Sequence, residues 1–285
     1  MKTNHPFLAW PRSRARFTSL HALAAAGLLL GGLGTAATRA DILYVTQGNG
    51  TIEKITAAGA GSVFGSIGTG NPDGLAFDSA RNLYAADFSN NTIEKFTPGG
   101  VGAVFANSGL SNPAGLAFDS AGNLFVANFN NSTIEKFTPG GVGSVFASSG
   151  VSKPLGLAFD KAGNLYAGNN LNNTIEKFTP GGSGSVFANM NKPQGLAFDS
   201  AGNLYAADSG NSTIEKFSST GTDLGAFATS ANGLSFPAFL AFTTDAGVPL
   251  ALPPLPEPAT CALLLLGGLG MLAARRPREG RQHRA

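Results

Sequence analysis

The feature that most restricts the fold of this chain is a repeat of about forty residues. The tetrapeptide TIEK recurs with spacings of 41, 41, 41 and 39 residues, at Thr51, Thr92, Thr133, Thr174 and Thr213. A second motif, LAFD or LAFT, recurs with it, at Leu75, Leu116, Leu157, Leu196 and Leu240. A constant period of this length is typical of folds that repeat one supersecondary unit. The whole body is therefore expected to consist of copies of one unit.

Each repeat contains four short runs with β-strand character. In residues 112–147 these runs are GLAFD, NLFVAN, TIEKF and GSVFA, and turn segments such as SAGN and TPGG separate them. No stretch between them has helical periodicity or helix length. Four strands in about forty residues predict one blade of a β-propeller.

The phase of the repeats predicts the number of blades. The body begins in the middle of a unit, with ILYV, TIEKI and GSVFG, and it ends on an orphan first strand, FLAFT. We therefore expect an all-β, five-bladed propeller of four-stranded blades over 41–245, in which the last strand completes the first blade and removes an open edge. Six blades or an open array are the alternatives.

Both ends of the chain have the composition of targeting segments. Arginines, the apolar run LHALAAAGLLLGGLG and small residues predict a signal peptide over 1–40, helical in its apolar part. Cleavage is expected after Ala40, with Ala37 as the alternative. A proline-rich linker (246–255) leads to an apolar helix of 16 residues (259–274), slightly short for a transmembrane segment, which arginines follow.

The C-terminal segment resembles a known sorting signal. LPEPAT, the apolar run and the arginine-rich end are similar to the PEP-CTERM signal of Gram-negative bacteria over 256–285. The resemblance implies that an exosortase-type enzyme processes the motif Pro256, Glu257 and Pro258, and that extracellular polysaccharide is a partner. An ordinary tail anchor is the alternative. Either way, the protein is expected to cross the inner membrane and to work in the envelope or outside the cell, anchored at least until the tail is processed.

The charge of the body differs from that of the ends. Ten of the 19 Lys and Arg residues lie before Asp41 or after Pro258, so the body has 9 basic against 16 acidic side chains. An acidic body without a basic face makes nucleic acid an unsuitable partner. The single cysteine, Cys261, lies in the tail, which excludes an intrachain disulfide.

The repeat itself resembles two related families. The pattern P-x-G-L-A-F-D-x-x-G-N-L-Y-x-A-D, followed by I-x-K-F, is similar to the NHL repeat and, more loosely, to the SMP-30/gluconolactonase propellers. The second resemblance implies a divalent cation at the mouth of the central channel. All three histidines, His5, His21 and His283, lie outside the body, which argues against a histidine base or a histidine metal site there.

Carboxylate and amide side chains are the candidates for a metal site, with calcium as one possible ion. Just before the inner strand of each blade, which is its first strand, the residue is acidic only at Asp73; the others are Ala114, Leu155, Gln194 and Ala238. Four more candidates end the second strands: Asp87, Asn128, Asn169 and Asp208. These four suit either a ligand or cation site or a hydrogen-bonded turn, and the turn is favoured.

The loops that precede the inner strands vary between repeats, whereas the turns on the opposite face are nearly identical. Variable loops are typical of recognition surfaces. The candidate ligand-binding residues there are Phe88, Phe129, Lys153, Lys192 and Gln194. The repeated Glu–Lys pairs of the third strands are expected to form a solvated rim that contributes little stability.

These features lead to a functional expectation with one alternative. The expected function is a non-enzymatic binding or scaffold module without a cofactor, for extracellular polysaccharide or an envelope protein. The alternative is a divalent-metal-dependent lactonase or lyase of the SMP-30/gluconolactonase type. The lack of histidine and the incomplete set of carboxylates count against this alternative.

Overall fold

The computed structural model describes residues 42–56, 59–238 and 240. The predicted signal peptide with Ala40, the linker 246–255 and the sorting signal with its apolar segment 259–274 lie outside these residues. Within the described part of the chain, no helix is long and apolar enough to cross a membrane.

The strands form five antiparallel sheets, in which neighbours in sequence are neighbours in space. Blade 1 has three described strands: β1 (Ile42–Thr46), β2 (Thr51–Thr56) and β3 (Gly61–Ser66). Blade 2 comprises β4 (Pro72–Phe77), β5 (Leu83–Asp87), β6 (Thr92–Phe96) and β7 (Gly102–Ala106). Blade 3 comprises β8 (Pro113–Phe118), β9 (Leu124–Asn128), β10 (Thr133–Phe137) and β11 (Gly143–Ala147).

The last two blades repeat this order. Blade 4 comprises β12 (Pro154–Phe159), β13 (Leu165–Asn169), β14 (Thr174–Phe178) and β15 (Gly184–Asn189). Blade 5 comprises β16 (Pro193–Phe198), β17 (Leu204–Asp208), β18 (Thr213–Phe217) and β19 (Asp223–Ala228), after which a 3₁₀ turn covers Ser230–Asn232. The prediction of an all-β, five-bladed propeller is confirmed.

The chain after the 3₁₀ turn returns to the centre of the ring. The amide of Gly195 in β16 donates a hydrogen bond to the carbonyl oxygen of Ala238. Leu240 lines the central channel together with residues of the inner strands. Leu240, the one described residue of the run FLAFT, therefore lies beside the inner strands, where the phase of the repeats predicts the last strand.

Aromatic side chains fill the space between neighbouring blades. The ring of Phe125 in β9 meets Phe146 of its own blade edge-on at 4.9 Å and Phe159 of the next blade at 5.0 Å. Tyr166 makes the same two contacts one blade further, with Phe187 and Phe198. These edge-to-face pairs add to the burial of the rings themselves. The aromatic positions of the repeat thus join each blade to the next.

Candidate functional site

The central channel is narrow, and its described lining consists of glycine and leucine residues. It encloses about 100 Å³ and is lined by a glycine and a leucine from each of the inner strands β4, β8, β12 and β16, with Leu240 as the ninth residue. The inner strands approach one another closely, because a Cβ on Gly115 would collide with the carbonyl oxygen of Leu155 in the next strand. Among the described residues, the lining of the channel therefore contains no polar side chain, and the candidate groups are those at its ends.

Asp73 stands at one end of this channel. It is the second residue of β4, directly before the channel-lining Gly74, and its side chain is half-buried. No other described residue donates a hydrogen bond to its carboxylate or forms an ion pair with it. Burial raises the pKa of the Asp73 carboxyl from 3.8 to about 6, because desolvation penalises the charged form. A carboxyl with such a pKa exchanges protons readily near neutral pH.

Asp87 and Asn128, which end the second strands of blades 2 and 3, hold loops together. Asp87 is 1% exposed, and it accepts hydrogen bonds from the amides of Asn71, Ser89 and Asn90 and from the side chain of Asn90. Asn128 is fully buried; its Oδ1 accepts from the amide of Ser111, and its Nδ2 donates to Gly109 O and Thr133 Oγ1. Both side chains tie the loop that leads into an inner strand to the turn beside it.

The equivalent residues of blades 4 and 5 make the same type of connection. The Nδ2 group of Asn169 donates to Gly150 O at 2.7 Å, while its Oδ1 accepts from the amide of Ser152. Asp208 accepts from the amides of Asn191 and Asn211 and from the Asn211 side chain. All four side chains direct their polar atoms to protein groups, which is the geometry of hydrogen-bonded turns.

The described residues do not fit the cation that the gluconolactonase resemblance implies. Among them no group of three or more His, Cys, Asp or Glu side chains converges in a way that could hold a metal ion. At the channel mouth, Asp73 has Ala114, Leu155, Gln194 and Ala238 as its counterparts. One carboxylate is fewer than the oxygen ligands that calcium requires.

A surface of aromatic and cationic side chains lies on the same face as the mouth. The rings of Phe88 and Phe129, in the turns of blades 2 and 3, are 5.9 Å apart. The Nζ atom of Lys153, in the loop leading into blade 4, lies 4.9 Å from the centre of the Phe129 ring. Lys192 occupies the equivalent loop position before β16 and is exposed, and Gln194 is the second residue of β16. The structure thus brings Phe88, Phe129 and Lys153 together in one patch.

Two further carboxylates, in the third strands of blades 3 and 4, were not predicted to be buried. Glu135 and Glu176 in the third strands are 5% and 6% exposed, so these two positions do not belong to a solvated rim as expected. Burial raises the pKa of both carboxyls. Residues of the loop that leaves the preceding blade lie against these side chains: Gly109 against Glu135, and Gly150 against Glu176. The alternation of polar and apolar residues within TIEKF does not indicate a contact with another blade.

Comparison with known proteins supports the repeat and the fold. The NHL repeat family matches residues 110–137 and 190–217, which fall in blades 3 and 5. The chain is thus a β-propeller in which two segments match the NHL repeat. No curated protein sequence matches the chain significantly.

Solved structures of similar shape include enzymes. Virginiamycin B lyase from Staphylococcus aureus has 17% sequence identity and a TM-score of 0.61, with 74% of this chain and 76% of that chain covered. XC5397 from Xanthomonas campestris, described as a gluconolactonase, has 18% identity and a TM-score of 0.61 over 74% and 77% of the two chains. A nidogen/laminin complex has 20% identity and a TM-score of 0.52 over 70% and 97%. At these identities the likeness establishes a shared fold.

These neighbours correct one prediction. The prediction that the protein is not an enzyme is wrong, because structures of the same fold include a lyase and a gluconolactonase. The lack of histidine in the body and the lack of a carboxylate ring argued against two particular mechanisms. They did not argue against every mechanism. A single half-buried carboxylate such as Asp73 was considered only as a metal ligand and not as a group that accepts a proton.

Proposed function

We propose that this propeller is an enzyme that opens a lactone at the mouth of its central channel, with Asp73 as the group that accepts a proton. The observation that carries the proposal is the position of Asp73: it is half-buried beside the channel and unpaired among the described residues. The similarity in fold to a lyase and a gluconolactonase supports the choice of lactone chemistry.

Two reactions are consistent with a carboxylate in this position. In hydrolysis, Asp73 would take a proton from the water that attacks the lactone carbonyl. The ring C–O bond then breaks, and Asp73 would return the proton to the leaving oxygen, which restores the carboxylate. In elimination, Asp73 would take a proton from the carbon next to the C–O carbon; a C=C bond forms as the ring carboxylate leaves. In both reactions the ionised form of Asp73 is active, so a pKa of about 6 leaves most of it ready at neutral pH.

The surface beside the mouth suits an acidic substrate with an apolar face. Phe88 and Phe129 present two neighbouring rings, and Lys153 adds a cation directly over one of them. Lys192 and Gln194, in the next blade, extend this face. The predicted export signal would bring the enzyme to sugar lactones outside the inner membrane, and these are the substrates we propose.

Ring opening of D-gluconolactone and of a cyclic depsipeptide lactone such as quinupristin tests the proposal. Hydrolysis raises the product mass by one water, whereas elimination leaves it unchanged, so mass spectrometry separates the two reactions. Asp73→Asn should lower kcat by about 100-fold or more, the usual contribution of a positioned acid or base. Asp223→Asn, at an exposed position of β19, is the matched control and should retain full activity. Equal activity of Asp73→Asn and the unsubstituted chain would overturn the role of Asp73.

A further inference from the structure

A cleft between blades 3 and 4 contains a carboxylate whose oxygens remain accessible from the cleft, although most of the side chain is buried. The cleft encloses about 400 Å³, within the range of roughly 300–1,000 Å³ that is typical of small-ligand sites. It lies on the outer side of the ring, between β11 with its following loop and strands β14 and β15. The lining side chains include Phe146, Ser148, Ser149, Glu176 and Ser183.

Glu176 lies at the bottom of this cleft. Its carboxylate stands between two lining glycines, since a Cβ added at Gly150 or Gly184 would lie 2.8 or 3.1 Å from its Oε1 atom. The side chain is 6% exposed, yet no described residue donates a hydrogen bond to it or forms an ion pair with it. Because no buried side-chain oxygen among the described residues lacks a partner, the carboxylate oxygens of Glu176 face the cleft and can accept hydrogen bonds from a molecule bound there.

The preceding pair of blades provides a natural comparison. Glu135 has the same burial and also lacks a described partner, and Gly109 stands beside it as Gly150 stands beside Glu176. Two lining positions differ: Asn107 stands in place of Ser148, and Val142 in place of Ser183. At both positions the cleft of blades 3 and 4 has the smaller side chain. At the second position it also has a hydroxyl group, on Ser183, where the preceding cleft has the apolar side chain of Val142.

We propose that this cleft binds a polyhydroxylated small molecule, a sugar ring or an alditol, through Glu176. A carboxylate accepts hydrogen bonds from two neighbouring hydroxyl groups at once, and serine hydroxyls both donate and accept. Ser148, Ser149 and Ser183 surround the carboxylate with such groups, and Phe146 supplies an apolar wall. Among the described residues, no second acidic side chain, histidine or cysteine joins Glu176 in a metal-ligand group, so a divalent ion is the poorer match.

This site is separate from the channel mouth. It is formed by outer strands, whereas Asp73 belongs to the inner strand β4, so sugar binding here does not depend on the proposed lactone chemistry. The ligand would occupy the cleft without reaching the reacting carboxylate.

Titration of the full chain with glucose, galactose and sorbitol at millimolar concentrations tests the proposal, with amide shifts in NMR spectra as the readout. We expect saturable shifts at Gly150 and Ser183. Glu176→Gln should weaken binding by about tenfold, because it removes the charge from the acceptor. Ser148→Asn combined with Ser183→Val should abolish it, and this variant should fold because it copies the lining of the preceding cleft.

Glu135→Gln is the matched control and should leave the affinity unchanged. The absence of shifts with all three sugars would mean that the cleft holds only water, and would overturn the proposal. Saturation by ethanolamine without saturation by sugars would identify a cation site and would also overturn it. An equal loss of affinity in Glu135→Gln and Glu176→Gln would overturn the assignment to this one cleft.

Discussion

The Nδ2 group of Asn169 donates a hydrogen bond of 2.7 Å to the carbonyl oxygen of Gly150. Asn169 ends the second strand of blade 4, and Gly150 belongs to the loop that leaves blade 3. One buried amide thus fixes the loop that carries the chain from blade to blade. The same loop forms one wall of the cleft around Glu176, so loop order and cleft shape are coupled.

Replacement of this amide should therefore destabilise the propeller. Asn169→Ala leaves Gly150 O and the amide of Ser152 without their partner, which should lower the free energy of unfolding by about 1–3 kcal/mol. Urea unfolding with an unchanged m value measures it. Asn172→Ala, which removes an exposed side chain that only accepts from Thr174 Oγ1, should cost less than about 0.5 kcal/mol. Equal losses in the two variants would contradict this account.

The aromatic contact between blades should tolerate a hydroxyl but not a void. Tyr84 and Tyr166 occupy the positions equivalent to Phe125, and their hydroxyls donate to Asp78 and Asp160 at 3.4 and 3.3 Å. Phe125→Tyr should thus change the free energy of unfolding by less than about 1 kcal/mol, whereas Phe125→Ala should lower it by about 3–5 kcal/mol. Thermal and urea unfolding of both variants measure the difference. A destabilising Phe125→Tyr would show that blade 3 lacks room for the hydroxyl.

The close approach of the inner strands predicts a strict need for glycine at position 115. A Cβ there meets the carbonyl oxygen of Leu155, so Gly115→Ala should force β8 and β12 apart and lower the free energy of unfolding by about 1–3 kcal/mol. Gly48→Ala is the control, because a Cβ at Gly48 meets nothing within 4 Å. Equilibrium unfolding compares the two. A neutral Gly115→Ala would mean that the ring expands at no cost.

Asp73 should make the stability of the fold depend on pH. Its folded pKa, about 6, exceeds the ordinary value of 3.8, so the folded state holds the proton more tightly than the unfolded state does. Stability is therefore lost as pH rises from about 4 to about 6, and the loss stays constant above that window.

Asp73→Asn removes this loss. The variant should be more stable than the unsubstituted chain at pH 7 by about 2 kcal/mol, with the difference vanishing near pH 4. Urea unfolding across pH 4 to 7 measures it, with Asp223→Asn as an exposed control. A gain in stability at pH 7 together with a loss of turnover would indicate a carboxylate kept for function. A difference that stays the same at every pH would contradict the burial of Asp73.

Features that recur within one repeat could be predicted from the sequence. The period of 41 residues, the four strand runs and the turn residues specify a blade, because they depend on contacts between residues close in the chain. Asp119, for example, accepts from the amide and side chain of Asn123, four residues later. The phase of the repeats also predicted five blades and the return of the chain at Leu240 to the channel.

Features that depend on the neighbouring blade could not be predicted in this way. Glu94, Glu135 and Glu176 share the motif TIEK, yet the last two are buried by the preceding blade, and only Glu94 accepts a hydrogen bond from the threonine before it. From the sequence, Asp73 was interpreted as one ligand of an incomplete metal site. Its desolvation could not be predicted, because it depends on the position of β4 in the ring. The sequence alone determined the blade, whereas the tertiary structure decided which carboxylates lose their water, since burial depends on chain segments about forty residues away.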